Sequence, residues 1–383
     1  MILKLFREKF VLISFIFFSS LLSGLVLIGI CSSFSLMLSE RGVNVSTITN
    51  ILLATIPYSW KFAISPFIKN LILKYDNTKK DIIKIISYVS QFVLFVGFSS
   101  LGLFEKSGSL FSAGMIILLI VFAVSIHDII RAHIKLVLFE SKDFGFISAV
   151  ENTGFRFGMF IAGACIIYIA NSKGWFGAFI AVGLSVVFAT LATLFMKREY
   201  LKADVLQDDQ IRSLKIYALI CFDFFKKYGL FVLVCVILSF KMTDSCISVL
   251  KPMFMHYLGI SRLAFANISH LFGIFSMIVS GIAAGVILYK IGIEKCIKLT
   301  FLMQMLASLI FMYFSAFKSD ILTITILVNI STFIFGFSSV IFRTFVAQES
   351  KRDVNMYTIL LSIGSLIRIG SYTFAGAIVD NYS

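Results

Sequence analysis

Eight ionisable side chains stand inside otherwise apolar stretches of this 383-residue chain: Lys61, Asp128, Arg131, Glu151, Arg156, Lys241, Asp244 and Arg368. Five are basic and three acidic. A charge near the centre of a bilayer costs roughly 2.5–3.5 kcal/mol on insertion scales, so such residues face one another or a water-filled cavity. A cavity with surplus cations suits an anionic small molecule, and carboxylates within it can exchange coupling protons. The competing reading of each charge taken singly is a structural ion pair, or a side chain that reaches out to the membrane surface. Arg131 and Glu151, near span ends, fit that reading better. Lys61, Lys241, Asp244 and Arg368 sit near mid-span, where function is the stronger reading.

Spacing sharpens some of these. Lys241 and Asp244 are three residues apart, share a helix face and can pair. Asp128 and Arg156 fall at comparable depth, which predicts a bridge between their helices. Glu151 and Arg156 are separated by about 140° around a helix, so no pair is expected there. In the segment SAVENTGFRFGMFIAG, residues 148–163, Gly154, Gly158 and Ala162 recur every four residues and permit close helix contact. That small face lies roughly opposite Arg156, which points the arginine inward and leaves Glu151 at a cytoplasmic rim.

Other residues carry weaker chemistry. His127 and His133 flank Asp128 but lie about 240° apart on a helix, which does not suit a metal. Tyr58 and Trp60 flank Lys61 in sequence, and Trp60 reads as part of a cavity or interfacial ring. Trp175 reads as a membrane-interface anchor. The six cysteines show no CxxC spacing and read as free thiols. The sequence has no Walker loop, GxSxG or HExxH, so neither ATP-driven transport nor hydrolysis has support, and no metal or cofactor is expected.

The elements that must hold these charges are membrane helices. The chain is 59% hydrophobic, only 14% charged, and has a mean hydropathy of +0.98, more apolar surface than a soluble domain could bury. Eleven apolar segments are predicted: 10–38, 46–72, 82–104, 110–138, 146–170, 174–196, 228–256, 263–289, 297–317, 321–345 and 355–379. They run too long, without alternation, for membrane strands, so the fold class is all-α. The first is too long for a signal peptide and reads as a retained helix.

The net charge of +14 falls at span ends rather than in a nucleic-acid patch. With the N-terminus cytoplasmic, 24 of the 34 Lys and Arg fall on the cytoplasmic side and six outside, as the positive-inside rule requires. The polar stretch 197–227 reads as a cytoplasmic loop between a six-helix bundle, 1–196, and a second bundle with five helices, 228–383. PFIKNLILKYDNTKKDII and GVILYKIGIEKCIKL occupy equivalent places after spans two and eight, as a parallel repeat would. Spans three, six and nine contain no ionisable residue in their interiors and read as lipid-facing supports.

Several of these segments, in order, resemble the muropeptide permease (AmpG) family of the major facilitator superfamily. RGVNVSTITNILLATIPYSWKFAISPF is similar to its second span, giving Pro57, Tyr58, Lys61 and Pro66. GFRFGMFIAGACIIYIANSKGW resembles its fifth, with Gly154, Arg156, Gly158, Met159 and Gly163. FKMTDSCISVLKPMF carries the Lys-x-x-Asp of the seventh, and MYTILLSIGSLIRIGSYTFAGAIVD the eleventh-span pattern around Arg368. The resemblance implies a two-bundle fold with a midplane site. It also implies import of anhydromuropeptides, cell-wall fragments of sugar and acidic peptide, across the bacterial inner membrane with protons; the expected oligomeric state is a monomer. Another organic anion, such as a nucleotide- or CoA-like metabolite, is the alternative cargo; a transport-inactive sensor or scaffold is the alternative role. There are departures. In span four His127 stands where the family has Gln, and Ala132 replaces a second Asp. After span two, Lys69 and Asn70 replace an acidic residue, and the family's twelfth helix reads as missing.

Overall fold

Backbone in hydrocarbon has no water to bond, so a spanning chain must satisfy its N–H and C=O groups within helices or a closed barrel. The computed structural model describes residues 2–43, 51–76, 81–105, 108–196, 267–316, 321–350 and 353–367, with the isolated positions 47, 226 and 240. Among these residues all regular structure is helical.

Helix α1 (Ile2–Ile28) departs from helical geometry at Lys9, passes through a π-helical turn at Gly29–Phe34 and continues as α2 (Ser35–Glu40). A 3₁₀ segment, Leu53–Trp60, runs directly into α3 (Lys61–Asp76). Then come α4 (Ile82–Leu101), α5 (Leu110–Leu138) and α6 (Phe144–Phe160). A second π-helical turn, Ile161–Cys165, leads into α7 (Ile166–Leu194). After a third, Asn267–Phe272, follow α8 (Gly273–Ile291), α9 (Ile293–Ala316), α10 (Ile321–Glu349) and α11 (Val354–Ile367).

Six described stretches are long and apolar enough to cross a membrane: Lys9–Leu38, Ile82–Glu105, Leu110–Leu138, Ser141–Leu194, Gly273–Ile291 and Ile321–Glu349. Ser141–Leu194 has 54 residues, about 80 Å of helix, which is far more than one crossing. It divides at Gly174, where φ of 74° and ψ of 169° break the helix between the predicted fifth and sixth spans. Only glycine takes this conformation without strain, and Glu105 uses the break: its carboxylate accepts the Phe176 amide at 3.1 Å.

The helices group into two units. The first takes the chain up to Glu140, residues from Gly154 through α7, and residues 353–358. The second takes Ser141–Thr153, α8 to α10, and the rest of α11. In the first unit, Phe34, Phe98, Phe104, Trp175 and Phe179 fill the core among α1, α4, α5 and α7. The outward faces of α4 and α7 are apolar, with Phe92 and Leu194 at 66% and 59% exposure, as lipid-facing helices require.

The predicted small-residue face is an interface between α1 and α6. A Cβ on Gly154 or Gly158 would stand 2.2 or 2.0 Å from the carbonyl oxygens of Phe17 or Leu21. Gly24 reciprocates, meeting the Phe155 carbonyl oxygen at 2.0 Å. Ala162 is fully buried beyond them, and its carbonyl accepts a hydrogen bond from Ser33. Backbone touches backbone along this line, and no larger residue fits.

Candidate functional site

The most elaborate polar cluster lies inside the first unit and centres on Asp128 of α5. The 3₁₀ geometry before α3 has three residues per turn, which brings Tyr58 into line with Lys61. The Lys61 ammonium sits 3.3 Å from the centroid of the Tyr58 ring. From there Lys61 Nζ donates to Asp128 Oδ2, and the Tyr58 hydroxyl donates to the same oxygen at 2.8 Å. Arg131, one turn along α5, meets Asp128 Oδ1 with Nη1 at 2.8 Å. Ser23 of α1 completes the site: its hydroxyl donates to Asp128 Oδ1 at 2.5 Å and accepts from Arg131 Nη1 at 2.9 Å.

The Lys61, Asp128 and Arg131 side chains are 11%, 6% and 8% exposed, so this is an ion cluster largely removed from solvent. One carboxylate faces two cations, and the three residues sum to a formal +1. Burying charges is tolerable when attraction and added hydrogen bonds offset desolvation, which Ser23 and Tyr58 supply here. The arrangement can exchange partners: whenever Asp128 is neutralised, its hold on both cations weakens.

His127, beside Asp128, is fully buried and turns to other partners. Its Nδ1 is 2.7 Å from Ser19 Oγ of α1, and its Nε2 is 2.9 Å from Gln91 Nε2 of α4. Gln91 also donates to Thr193 of α7 at 2.9 Å, and Phe15 stacks on the imidazole at 5.5 Å. Among the described residues, no three His, Cys, Asp or Glu side chains gather as a metal site would need.

A second polar region joins α3 and α5 to the start of α11. Lys69 Nζ is 3.6 Å from Asp353 Oδ1, Ser65 donates to Asn355 Oδ1 at 2.6 Å, and Lys135 reaches the Tyr357 hydroxyl at 3.4 Å. In the second unit Glu151 is paired with Arg343 of α10 at 2.6 Å.

These positions revise several expectations. The cations bonded to Asp128 are Lys61 and Arg131, not Arg156. Arg156 Nη1 instead lies 3.3 Å from Met159 Sδ, with its guanidinium 5.6 Å from the Phe155 ring. Arg131 is no snorkelling end: Asp128, three residues before it, draws it inward. Lys69, at the end of the predicted second span, lies well inside α3 and is buried, because Asp353 receives it. Trp175 is buried among its neighbours, and its indole N–H donates to Glu40 at 2.7 Å, two residues past the apolar stretch Lys9–Leu38. Trp60 is half exposed on the surface of its segment. Lys241, Asp244 and Arg368 lie outside the described residues.

Sequence reading passed over Ser19, Ser23, Gln91 and Thr193. The first two stand one turn apart in a span chosen for having no charge, and that i, i+4 pair of hydroxyls was the available signal. Gln91 and Thr193 sit on helices that read as lipid-facing supports, and whose other faces are exposed and apolar.

Long apolar helices around a buried, hydrogen-bonded ion cluster define a polytopic α-helical membrane protein built to keep charge in its interior. The chain belongs to the Major Facilitator Superfamily, whose family profile matches residues 16–371. Among its relatives is a Rickettsia felis protein provisionally named transporter AmpG 4, 25% identical over 374 residues that cover 95% of this chain and 89% of that one. A Rickettsia prowazekii protein provisionally named transporter AmpG 3 is 26% identical over 367 residues, covering 91% and 87%. The fold is similar to that of the proton:xylose symporter XylE, with a TM-score of 0.61 at 13% identity over 97% of this chain and 89% of that one. It is also similar to a bacterial homologue of the iron transporter ferroportin, with a TM-score of 0.63 at 12% identity over 95% and 90%. The protein is therefore a multi-pass membrane protein of a transporter family.

Proposed function

We propose that the protein is a proton-coupled symporter of the bacterial inner membrane that imports anhydromuropeptides, with its N-terminus cytoplasmic. The observation that carries this reading is the single carboxylate of Asp128 held between two cations. While Asp128 is ionised it occupies Lys61 and Arg131. Once it takes a proton, its hold on both weakens and an anionic solute can compete for them. An anion that binds them in turn keeps the carboxylate from reclaiming them until the proton has left. Proton and anion thus favour each other's binding, which is the thermodynamic requirement of symport. The AmpG names of the relatives favour a muropeptide as the anion, and its acidic peptide suits the surplus charge. The excess of Lys and Arg on alternate loops supports the orientation.

The test is uptake of labelled anhydromuropeptide into cells that lack their own permease, with and without an uncoupler, beside Asp128→Asn. Uncoupler-sensitive uptake that the mutant loses is the expected result. No uptake by correctly inserted wild-type protein would overturn the muropeptide assignment, leaving another organic anion or a transport-inactive role.

A further inference from the structure

We infer that His127 is a neutral positioning residue that fixes Ser19 and Ser23 of α1 against α5, and so sets the geometry of Asp128, without itself carrying a transported proton. The inference deepens the symport reading and rests on it. Asp128 and its neighbour His127 point to different partners, and α1 serves both: Ser19 meets the imidazole and Ser23, one turn on, meets the carboxylate. Ser23 also lies 3.4 Å from the Ser19 carbonyl, so the two hydroxyls belong to one turn of helix. A shift of Ser19 relative to His127 would move Ser23 relative to Asp128 and Arg131.

Both imidazole nitrogens are engaged. The Gln91 amide faces Nε2 and the Ser19 hydroxyl faces Nδ1, so a neutral ring can donate at one nitrogen and accept at the other. The same amide donates to Thr193, so the chain Thr193–Gln91–His127–Ser19 ties α7, α4, α5 and α1 through one ring. Phe15 covers the ring face. The charged groups that act on the imidazole come from its own helix, Asp128 and Arg131. From α1 it meets the Ser19 hydroxyl and the Phe15 ring and from α4 the Gln91 amide, all neutral, while Thr193 of α7 connects to it only through Gln91. Through Asp128 the imidazole also has Lys61 nearby, so a third positive charge here would oppose the two already present. A glutamine, which offers one donor and one acceptor on a planar group, can replace a neutral imidazole in this position. A proton carrier could not be replaced in that way.

Two measurements test this. The first compares uptake by wild type, His127→Gln and His127→Leu from pH 5 to pH 8, each normalised to protein in the membrane. His127→Gln is expected to stay within about threefold of wild type with the same pH profile and uncoupler sensitivity. His127→Leu, which cannot bond Ser19 or Gln91, is expected to fall by tenfold or more. A His127→Gln protein that reaches the membrane but has a shifted profile or no uncoupler sensitivity would overturn the inference. The second needs no substrate: ¹⁵N-histidine spectra of the wild-type protein in lipid nanodiscs, with the His127 signal identified by its loss in His127→Gln. One neutral tautomer across that pH range is expected; titration to imidazolium within it would overturn the inference. Absent muropeptide uptake would count against the proposed cargo, while the spectra would still decide the role of His127.

Discussion

Helix α1 has two working faces, and they are built on opposite principles. Toward α6 it presents Phe17, Leu21 and Gly24, where carbonyl oxygens meet glycine Cα atoms with no side chain between them. Toward α5 it presents Ser19 and Ser23, whose hydroxyls bond His127, Asp128 and Arg131. Positions 17, 21 and 24 lie roughly opposite 19 and 23 around the helix. The first face admits one arrangement, because packed backbone cannot adjust. The second is made of hydrogen bonds and charges, which can exchange partners when a proton or anion arrives. A rigid contact on one side lets the other carry chemistry without the helix shifting.

The comparison breaks most visibly at the rigid face. Gly158→Leu places its Cβ 2.0 Å from the Leu21 carbonyl oxygen, and that oxygen is backbone, with no rotamer to yield. Overpacking of this kind costs about 1–3 kcal/mol or more. Since α1 has to separate from α6, we expect the upper end of that range or failure to fold. The check is monodispersity and thermal unfolding of the detergent-purified variant beside Gly158→Ala, which should be affected less. A Gly158→Leu protein that melts with wild type would show that the contact is not tight.

At the chemical face the largest effect belongs to Asp128→Asn. The amide is nearly isosteric, so packing survives, but Lys61 and Arg131 are left without their carboxylate. Removing one partner of a buried ion pair costs about 3–5 kcal/mol. Uptake should fall by about a hundredfold or more, the scale of losing a positioned proton-transfer group. Adding Lys61→Met to Asp128→Asn should restore part of the thermal stability and none of the uptake. Recovery of both would mean that the cluster is merely structural.

These two faces were not equally legible. Gly154, Gly158 and Ala162 state their purpose in the sequence, because residues four apart share a helix face and glycine's absent side chain has one use in a packed membrane helix. The partner was not legible, since nothing in Phe17 or Leu21 marks a carbonyl that will be approached. Span limits were readable where hydropathy and Gly174 agree. Ion-pair partners on different helices were not: Asp128 and Arg156 read at comparable depth, but depth leaves the rotation of each helix open, and rotation is what brought Lys61 to the carboxylate, whereas Arg131, three residues along the same helix, lay within reach of the spacing rule. Glu151 found Arg343, 192 positions away, by the same unreadable geometry. The serines were missed because a hydroxyl costs a membrane helix little, so hydropathy hardly registers it.

Ser23→Ala separates these contributions more finely. The hydroxyl both donates to Asp128 and accepts from Arg131, and hydrogen bonds to charged groups contribute about 1.5–3 kcal/mol each in stability series. Arg131 keeps its direct contact with Asp128, so the loss should sit near the low end. A tenfold fall in uptake corresponds to about 1.4 kcal/mol of barrier, and that is the expected scale. Ser23→Thr retains the hydroxyl and should recover most of the rate if its methyl group is accommodated beside α5.

The smallest effect should come from Tyr58→Phe. This change removes one hydrogen bond to Asp128 Oδ2 and keeps the ring under Lys61 at 3.3 Å. Lys61 still donates to the same oxygen, so the carboxylate is never without a partner there. A fall in uptake of about threefold is expected, equivalent to less than 1 kcal/mol. Tyr58→Leu removes the ring as well, and a desolvated cation–π contact contributes up to about 2 kcal/mol, so it should cost more than Tyr58→Phe. The difference between the two variants measures what the 3₁₀ segment contributes by holding an aromatic face against Lys61. Equal losses would assign the whole effect of Tyr58 to its hydroxyl, and the 3₁₀ geometry would then be a consequence of Pro57 rather than a device for placing the lysine.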